Sequence, residues 1–294
     1  MKGACKHNCC IGWEIDIDER TLAYYNTVSG AMGDRLRTHI AQDDPPHFLL
    51  TANERCPFLN RDNLCEVILT LGEAHLCDIC AEHPRFRNEL PDRTEVGLGL
   101  CCEAAARLIL SQRAPVAFEA HGTSSEEDSI IALRNEVLTL LQNRAQRIAQ
   151  RTEAVLHRVG TVLLDDYDHW VNELLALERL DDEWTRLLLF LQAHYMHADL
   201  NGFDAFMQDR QTEYEQLAVY FVYRHMANAP DHTQAAARAT FAVWAVRLLH
   251  RLGAVIWTES GQFSFEQQVE LARLFSSEIE YSDENLYILL DLFA

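Results

Sequence analysis

This 294-residue chain has almost no lysine, no long apolar run and no cysteine after residue 102. Only Lys2 and Lys6 are lysines among 25 basic residues, and 45 acidic residues bring the formal net charge to −20. A protein that binds nucleic-acid backbones needs a positive face, so this balance predicts no nucleic-acid partner. It favours instead a protein whose macromolecular partner, if any, is basic.

The chain also lacks the segments that direct a protein into or across a membrane. No stretch reaches the roughly 18 uninterrupted apolar residues of a membrane span. The most apolar stretch, 241–257, is interrupted by Arg247, His250 and Arg251. The first ten residues, MKGACKHNCC, contain no apolar core of a secretory signal. We therefore predict no membrane association and a location in the reducing cytoplasm, while the sequence leaves the oligomeric state open.

All nine cysteines lie in the first third of the chain, between Cys5 and Cys102. A disulfide framework is disfavoured by the odd count, by two vicinal pairs and by the missing export signal. Buried structural cysteines could account for only a few of them. The remainder cluster beside turn residues, as in 56-CPFLNRDNLC-65, where a chain folds back and directs several thiols at one point. This clustering favours metal or iron–sulfur ligation.

The most specific element of this series is Cys77-x2-Cys80, because two intervening residues let both sulfurs reach one metal. Redox dithiols share the motif, but the further cysteines on both sides make ligation the better interpretation. Ligation by thiolates alone suits zinc or an iron–sulfur cluster, and spacing does not choose between them.

The pattern along the chain predicts a mainly α protein in two parts. Residues 1–115 form a small cysteine-rich metal-binding region with short strands, for example 13-WEIDID-18, where apolar and acidic residues alternate. The polar stretch 119–128 is interpreted as the boundary loop, and residues 116–294 as a helical bundle. The bundle carries most of the negative charge, with 27 acidic and 13 basic side chains from residue 121 onward. No βαβ unit and no complete glycine-rich fingerprint surrounds 97-GLGL-100, which disfavours a doubly wound nucleotide-binding fold.

Six sequence blocks resemble the bacterial flagellin lysine-N-methylases. They are 5-CKHNCCIGWEIDID-18, 56-CPFLNRDNLCEV-67, 71-LGEAHLCDICAEHPR-85, 94-TEVGLGLCCEAAARLIL-110, 214-YEQLAVYFVYRH-225 and 277-SEIEYSDENL-286. The cysteine blocks are also similar to the broader CxxCxxCC zinc- or iron-chelating domains. Two departures are visible. Family members begin earlier, with a cysteine ahead of Cys5, so either the start is truncated here or that cysteine is not required. Cys102 stands where the family has proline, which makes it a spare thiol.

The resemblance implies a protein-lysine N-methyltransferase that uses S-adenosylmethionine, acts on flagellin and carries a four-iron, four-sulfur cluster. The metal-ligating candidates are the cysteines that match the family: Cys5, Cys9, Cys10, Cys56, Cys65, Cys77, Cys80 and Cys101. Eight thiolates exceed the needs of one cluster. Cys77 and Cys80 are the favoured pair, completed by two from Cys65, Cys101, Cys9 and Cys10.

Methyl transfer to lysine requires a neutral amine, so the site must lower a pKa near 10.4 or supply a base. The matched carboxy-terminal blocks offer tyrosines and carboxylates for this purpose. The catalytic candidates are Tyr220, Tyr223, Glu280 and Asp283, with Tyr281 beside them. The competing interpretation is that the tyrosines are core aromatics and that 280–284 is a solvated helix end.

Three further residues of the matched blocks, Arg85, Arg224 and Asn285, are candidates for cofactor binding. Arg85 is interpreted as a partner for an anion or carboxylate, and a structural ion pair fits it equally well. A function of another class also stays open, namely a non-catalytic zinc- or iron-binding module whose acidic helices bind a basic partner. A thiol redox protein using Cys77 and Cys80 is a third and weaker option.

Overall fold

The computed structural model describes residues 5–119 and 129–294, which form two compact units, 1–86 and 87–294. The predicted mainly α fold is confirmed, because these residues contain fourteen α-helices and one small two-stranded sheet. The observed boundary lies earlier than the predicted 115/116. The helix 103–110 packs against helices of the second unit, so it belongs there. The predicted boundary loop, 119–128, lies outside the described residues except for Glu119.

The first unit contains four short helices. They are α1 (Glu19–Thr27), α2 (Gly30–Thr38), α3 (Glu66–Leu71) and α4 (Asp78–Glu82). The sheet consists of β1 (Arg85–Leu90), which begins in the first unit, and β2 (Arg93–Leu98). The second unit contains the remaining helices. They are α5 (Glu103–Leu110), α6 (Ser129–Leu141), α7 (Ile148–Val159), α8 (Tyr167–Ala176), α9 (Asp182–His194), α10 (Leu200–Phe206), α11 (Gln211–Met226), α12 (His232–Ser260), α13 (Phe265–Phe275) and α14 (Asp283–Leu292).

The segment 13–18 is extended, as predicted, but it does not form a regular strand. Ile15 and Ile17 are buried in the core of the first unit, as their alternation requires. The pairing is limited to an isolated bridge between Asp16 and His47 and its flanking hydrogen bonds. The opposite segment contains Pro45 and Pro46, which have no N–H group to extend a ladder.

The second unit is organised around two neighbouring helices, α11 and α12. Helix α11 packs against α5, α6 and α12, and α12 packs in turn against α7, α9, α10 and α14. Among the described residues, α12 is the one helix long and apolar enough to cross a membrane by length and composition. However, 78% of its apolar window is buried inside the protein, as expected of a core helix.

Local side-chain hydrogen bonds cap the starts of two of these helices. Asp181 accepts a hydrogen bond from the Glu183 N–H at the start of α9. Ser264 and Gln267 form a reciprocal capping box at the start of α13. Helix α13 continues into a π-helical turn, Ser276–Glu280, before α14. That turn directs Glu278, Ile279 and Glu280 into the protein interior.

Candidate functional site

Five cysteine side chains of the first unit belong to one hydrophobic cluster. Cys56 and Cys77 are buried in it, and Cys10, Cys65 and Cys80 pack against it from partly exposed positions. No disulfide joins the thiols that the structure shows as free: Cys9, Cys10, Cys56, Cys65, Cys77, Cys80 and Cys101. The disulfide alternative therefore does not apply to these residues.

Backbone hydrogen bonds bring the cysteine segments of this cluster together. The Cys56 N–H donates to the carbonyl of Cys10 across 2.9 Å. The side-chain oxygen of Asn60 accepts hydrogen bonds from the N–H groups of Asp62 and Leu64, each at 2.9 Å. This Asn-centred turn closes the loop that carries Cys56 and Cys65, as the turn residues of the sequence predicted.

The Cys77-x2-Cys80 motif lies at the amino-terminal end of α4. Cys77 immediately precedes the helix, Cys80 lies within it, and the two thiols are hydrogen-bonded to each other. Asp18, which caps α1, also accepts a hydrogen bond from the Asp78 N–H at 2.9 Å. The motif is therefore held in a fixed position against α1.

This set of sulfur donors has the chemistry that iron–sulfur clusters and zinc require. Within residues 5–119 and 129–294, however, no three His, Cys, Asp or Glu side chains are arranged as a ready metal site. The Cys77 and Cys80 thiols hydrogen-bond to each other, and such thiols must deprotonate and rotate to ligate a metal. Cys5 is partly exposed and Cys9 is exposed, and neither belongs to the cluster. Ligation by these residues stays a prediction.

In the second unit, three of the predicted site residues meet in a buried polar network. Tyr220 Oη donates to Glu280 Oε2 at 2.9 Å and accepts hydrogen bonds from Arg224 Nη1 at 2.7 Å and from the Leu100 N–H at 3.2 Å. Arg224 Nε lies 3.4 Å from Glu280 Oε1. His225 Nε2 lies 2.7 Å from that same oxygen. The network joins α11, the π-helical turn and the residue before Cys101.

The protonation states of this network follow from its burial and charges. Burial favours the neutral acid, but Arg224 and His225 outweigh it and hold the pKa of Glu280 below its ordinary value. Burial lowers the pKa of His225, so the imidazole is neutral and donates from Nε2. Burial raises the pKa of Tyr220 well above its ordinary value, so the phenol keeps its proton. The network therefore contains one carboxylate and one guanidinium, with neutral tyrosine and histidine around them.

The more accessible edge of the network is formed by Cys101 and Tyr281, which are hydrogen-bonded to each other. The Arg224 guanidinium carbon lies 5.0 Å from the centre of the Tyr281 ring. Burial raises the pKa of Cys101 to about 12, so its thiol is protonated. Tyr281 is thus the tyrosine of this site that is both partly exposed and fixed in orientation.

Four predicted site residues lie outside the network. Tyr223 stacks on Phe118 with 4.5 Å between ring centres. Asp283 is exposed at the first residue of α14. Arg85 is exposed in β1 and donates to the carbonyl of Ala81.

Asn285, the fourth of these residues, is fully buried and holds two segments together. Its Nδ2 donates to the carbonyls of Glu178 and Glu278, and its Oδ1 accepts from the Glu178 N–H. These contacts join the loop before α9 to the π-helical turn. Both polar atoms of the Asn285 side chain are engaged in these backbone hydrogen bonds, so its observed contacts are structural.

His225 is the network member that sequence reasoning missed. It lies inside a matched block, next to Arg224. The prediction selected residues of that block by their type and did not consider which of them share a helix face. The available signal was that Tyr220 and Arg224 are four residues apart on one helix and therefore share a face. A polar pair on a helix this buried requires further polar partners, and His225 is one of them.

A second carboxylate of the π-helical turn gives a pH-dependent prediction. Glu278 is fully buried, its Oε2 accepts from the Leu180 N–H at 3.0 Å, and its Oε1 has no hydrogen-bond partner. Burial raises its pKa from 4.5 to about 7. The folded protein then holds this proton more tightly than the unfolded chain, so the group lowers stability as pH rises from about 4.5 through about 7.

The Glu278→Gln variant is therefore expected to gain stability relative to the wild type as the pH is raised through this range. Urea unfolding midpoints at about pH 5 and about pH 8 measure the difference. Glu284→Gln, at an exposed position of α14, serves as the control and should change little with pH. Parallel pH profiles for Glu278→Gln and the wild type would contradict the assignment.

One comparison with known proteins covers the part of this network that lies on α11 and the π-helical turn. The model of the FliB lysine N-methylase C-terminal domain matches residues 157–294. The flagellar biosynthetic protein FliU of Salmonella muenchen is 33% identical over 119 residues, which cover 37% of this chain and 68% of that protein. No solved structure matches the chain significantly.

Two lysine-N-methylases, from Salmonella typhimurium and Salmonella choleraesuis, are each 31% identical over 122 residues. These matches cover 37% of this chain and 29% of either methylase. The chain thus matches less than a third of the length of those two proteins.

Proposed function

Because the chain belongs to the FliB lysine N-methylase family, we propose that it methylates lysine side chains of a flagellar protein, with flagellin as the substrate. The observation that carries the proposal is that the family match contains Tyr220, Arg224, His225, Glu280 and Tyr281. These residues come from segments about 60 positions apart and form one connected network. A reaction site held by such contacts is preorganised, because its members cannot move independently.

We take S-adenosylmethionine as the methyl donor, because its sulfonium makes the methyl carbon electrophilic. The lysine nitrogen forms the new bond to that carbon, the carbon–sulfur bond breaks, and its electron pair stays on sulfur. Before the attack the lysine ammonium gives one proton to solvent water, since an ammonium ion has no lone pair. The acidic helical half of the chain attracts the cationic side chain over a distance.

The contacts of Glu280 within the network limit the effect of its negative charge on the substrate lysine amine. Glu280 is already paired with Arg224 and His225, so its negative charge does not act alone on a lysine nearby. An unpaired carboxylate would stabilise the ammonium form and oppose the reaction. We propose that Tyr281 contacts the lysine, and that Tyr220, Arg224 and Glu280 are positioning residues that fix Tyr281.

We further propose that the thiols of the first unit hold the iron–sulfur cluster. The residues that would hold it come from Cys10, Cys56, Cys65, Cys77 and Cys80, which share one core cluster. When bound, such a cluster supplies an iron that can take oxygen and nitrogen ligands. The reducing cytoplasm, which we propose as the location, keeps these thiols available.

The test is mass spectrometry of flagellin incubated with the chain and S-adenosylmethionine, with gains of whole methyl groups on lysines as the expected result. Tyr220→Phe should lower kcat about tenfold with little change in KM, because loss of one hydrogen bond to a charged group costs about 1.5–3 kcal/mol. Tyr287→Phe, at an exposed tyrosine of α14, is the matched control and should leave the rate unchanged.

Two outcomes would contradict the proposal. If flagellin gains no methyl groups while the chain keeps its metal and binds flagellin, the non-catalytic metal-binding module is correct. If Tyr220→Phe methylates at the wild-type rate with unchanged folding, the buried network does not position the reacting groups.

A further inference from the structure

A second polar site lies in a cleft of the second unit, with a volume of about 780 Å³. Its walls include the first turn of α7, part of α10, the beginning of α11 and the middle of α12. A cleft of this size accommodates a ligand as large as a nucleotide.

The cleft is distinct from the network around Tyr220. Tyr214 and Glu215 of α11 line it, whereas Tyr220 and Arg224 belong to the network. At 3.6 residues per turn, Tyr214 and Tyr220 are separated by roughly 120° around the helix axis. The two sites therefore lie on different faces of α11.

Two side chains that line the cleft carry buried hydrogen-bond donors without partners. Tyr214 is 1% exposed and its Oη has no hydrogen-bond partner. Arg151 is 3% exposed and its Nε is likewise unpartnered. Burial raises the pKa of Tyr214 well above its ordinary value, so its hydroxyl remains a donor. Buried donors without acceptors are costly, and a ligand acceptor would remove that cost.

The charges of the cleft favour an acceptor that is negatively charged. Five arginines and four acidic side chains line it, in a chain whose formal net charge is −20. Each acidic group is already paired. These pairs are Glu215 with Arg144 and Arg151, Glu153 and Asp165 with Arg247, and Asp204 with His250.

Two features add positive potential to the cleft. Arg147 is exposed at the amino-terminal end of α7 and lines the cleft. The first turn of that helix also faces the cleft, and helix amino termini attract anions.

We propose that this cleft binds a small molecule through a carboxylate or phosphate group. The anionic group accepts hydrogen bonds from Tyr214 and Arg151 and is attracted by Arg147 and the amino terminus of α7. This site goes beyond the proposed methyl transfer, and binding can be measured without flagellin.

Isothermal titration calorimetry of the full chain with three adenosine compounds tests the proposal. Adenosine-5′-carboxylic acid carries a carboxylate, adenosine monophosphate carries a phosphate, and adenosine carries neither group. At least one of the two anions should bind about tenfold or more tightly than adenosine. The anion that binds more tightly shows whether the cleft prefers a carboxylate or a phosphate. Tyr214→Phe should weaken that binding about tenfold, as expected for loss of one hydrogen bond to a charged group.

Two further variants keep the test independent of folding. Arg147→Gln changes an exposed side chain and should weaken binding severalfold, whereas Arg186→Gln, exposed on α9 and outside the cleft, should leave it unchanged. Without ligand, Tyr214→Phe should melt no lower than the wild type, because the hydroxyl has no partner to lose. Equal affinity for adenosine and both anions, or anion binding that is unaffected by Tyr214→Phe and Arg147→Gln, would overturn the proposal.

Discussion

Under the proposed function, a chain carrying Cys77→Ser together with Cys80→Ser is expected to lose iron binding and methylation of flagellin together. The two thiols are in mutual contact at the start of α4, and Cys77 is buried in the core of the first unit. Serine keeps the size of the side chain but does not replace a thiolate as a ligand of iron. Iron analysis, the visible absorption of the protein and mass spectrometry of flagellin measure the three consequences.

Cys102→Ser is the matched control for this prediction. Cys102 immediately precedes α5 in the second unit, and the resemblance marks it as a spare thiol. Its replacement should leave iron content and methylation at wild-type levels, and circular dichroism checks that all variants are folded. Wild-type iron and activity in the doubly substituted chain would show that Cys77 and Cys80 are not ligands. Stoichiometric zinc in colourless, active protein would reject the iron–sulfur cluster itself.

Glu280→Gln is expected to lower the free energy of unfolding by about 3–5 kcal/mol. Arg224 is largely buried, and Glu280 is its carboxylate partner in the network. Removing one member of a buried ion pair leaves the other charged and poorly solvated, which gives a penalty of about this size. Urea unfolding measures the effect, and methylation should fall with it because Tyr281 loses its fixed position.

The control for Glu280→Gln is Glu136→Gln, whose partner Arg158 is exposed. That pair is in contact with solvent, so its loss should change stability little. If Glu280→Gln is too unstable to purify, the double variant Glu280→Gln with Arg224→Met removes both charges. The double variant should regain much of the lost stability while staying inactive. A Glu280→Gln variant as stable as the wild type would contradict the charge assignment of the network.

Much of the candidate site could be predicted because its members lie in recognisable sequence blocks. The blocks gave Tyr220, Arg224 and Glu280, which the structure brings into contact. They also gave Tyr223 and Asn285, which the structure places elsewhere or uses as a structural tie. A matched block indicates that a stretch of sequence contributes to the site. It does not indicate which face of a helix each side chain occupies.

Local interactions determined the helices from sequence alone. The Ser264–Gln267 capping box involves residues within one turn, so its pattern is readable along the chain. The cysteine clustering likewise predicted a thiol-rich first unit, and Cys10, Cys56 and Cys77 do share one cluster.

Only the tertiary structure decided which distant polar groups meet. The contact between Tyr220 and Glu280 joins positions 60 residues apart, and Glu280 lies on a π-helical turn that directs it inward. The same holds for the cleft beside Tyr214, whose walls include parts of five helices. Burial and charge pairing depend on how helices pack, and that packing depends on the whole chain rather than on any local stretch of it.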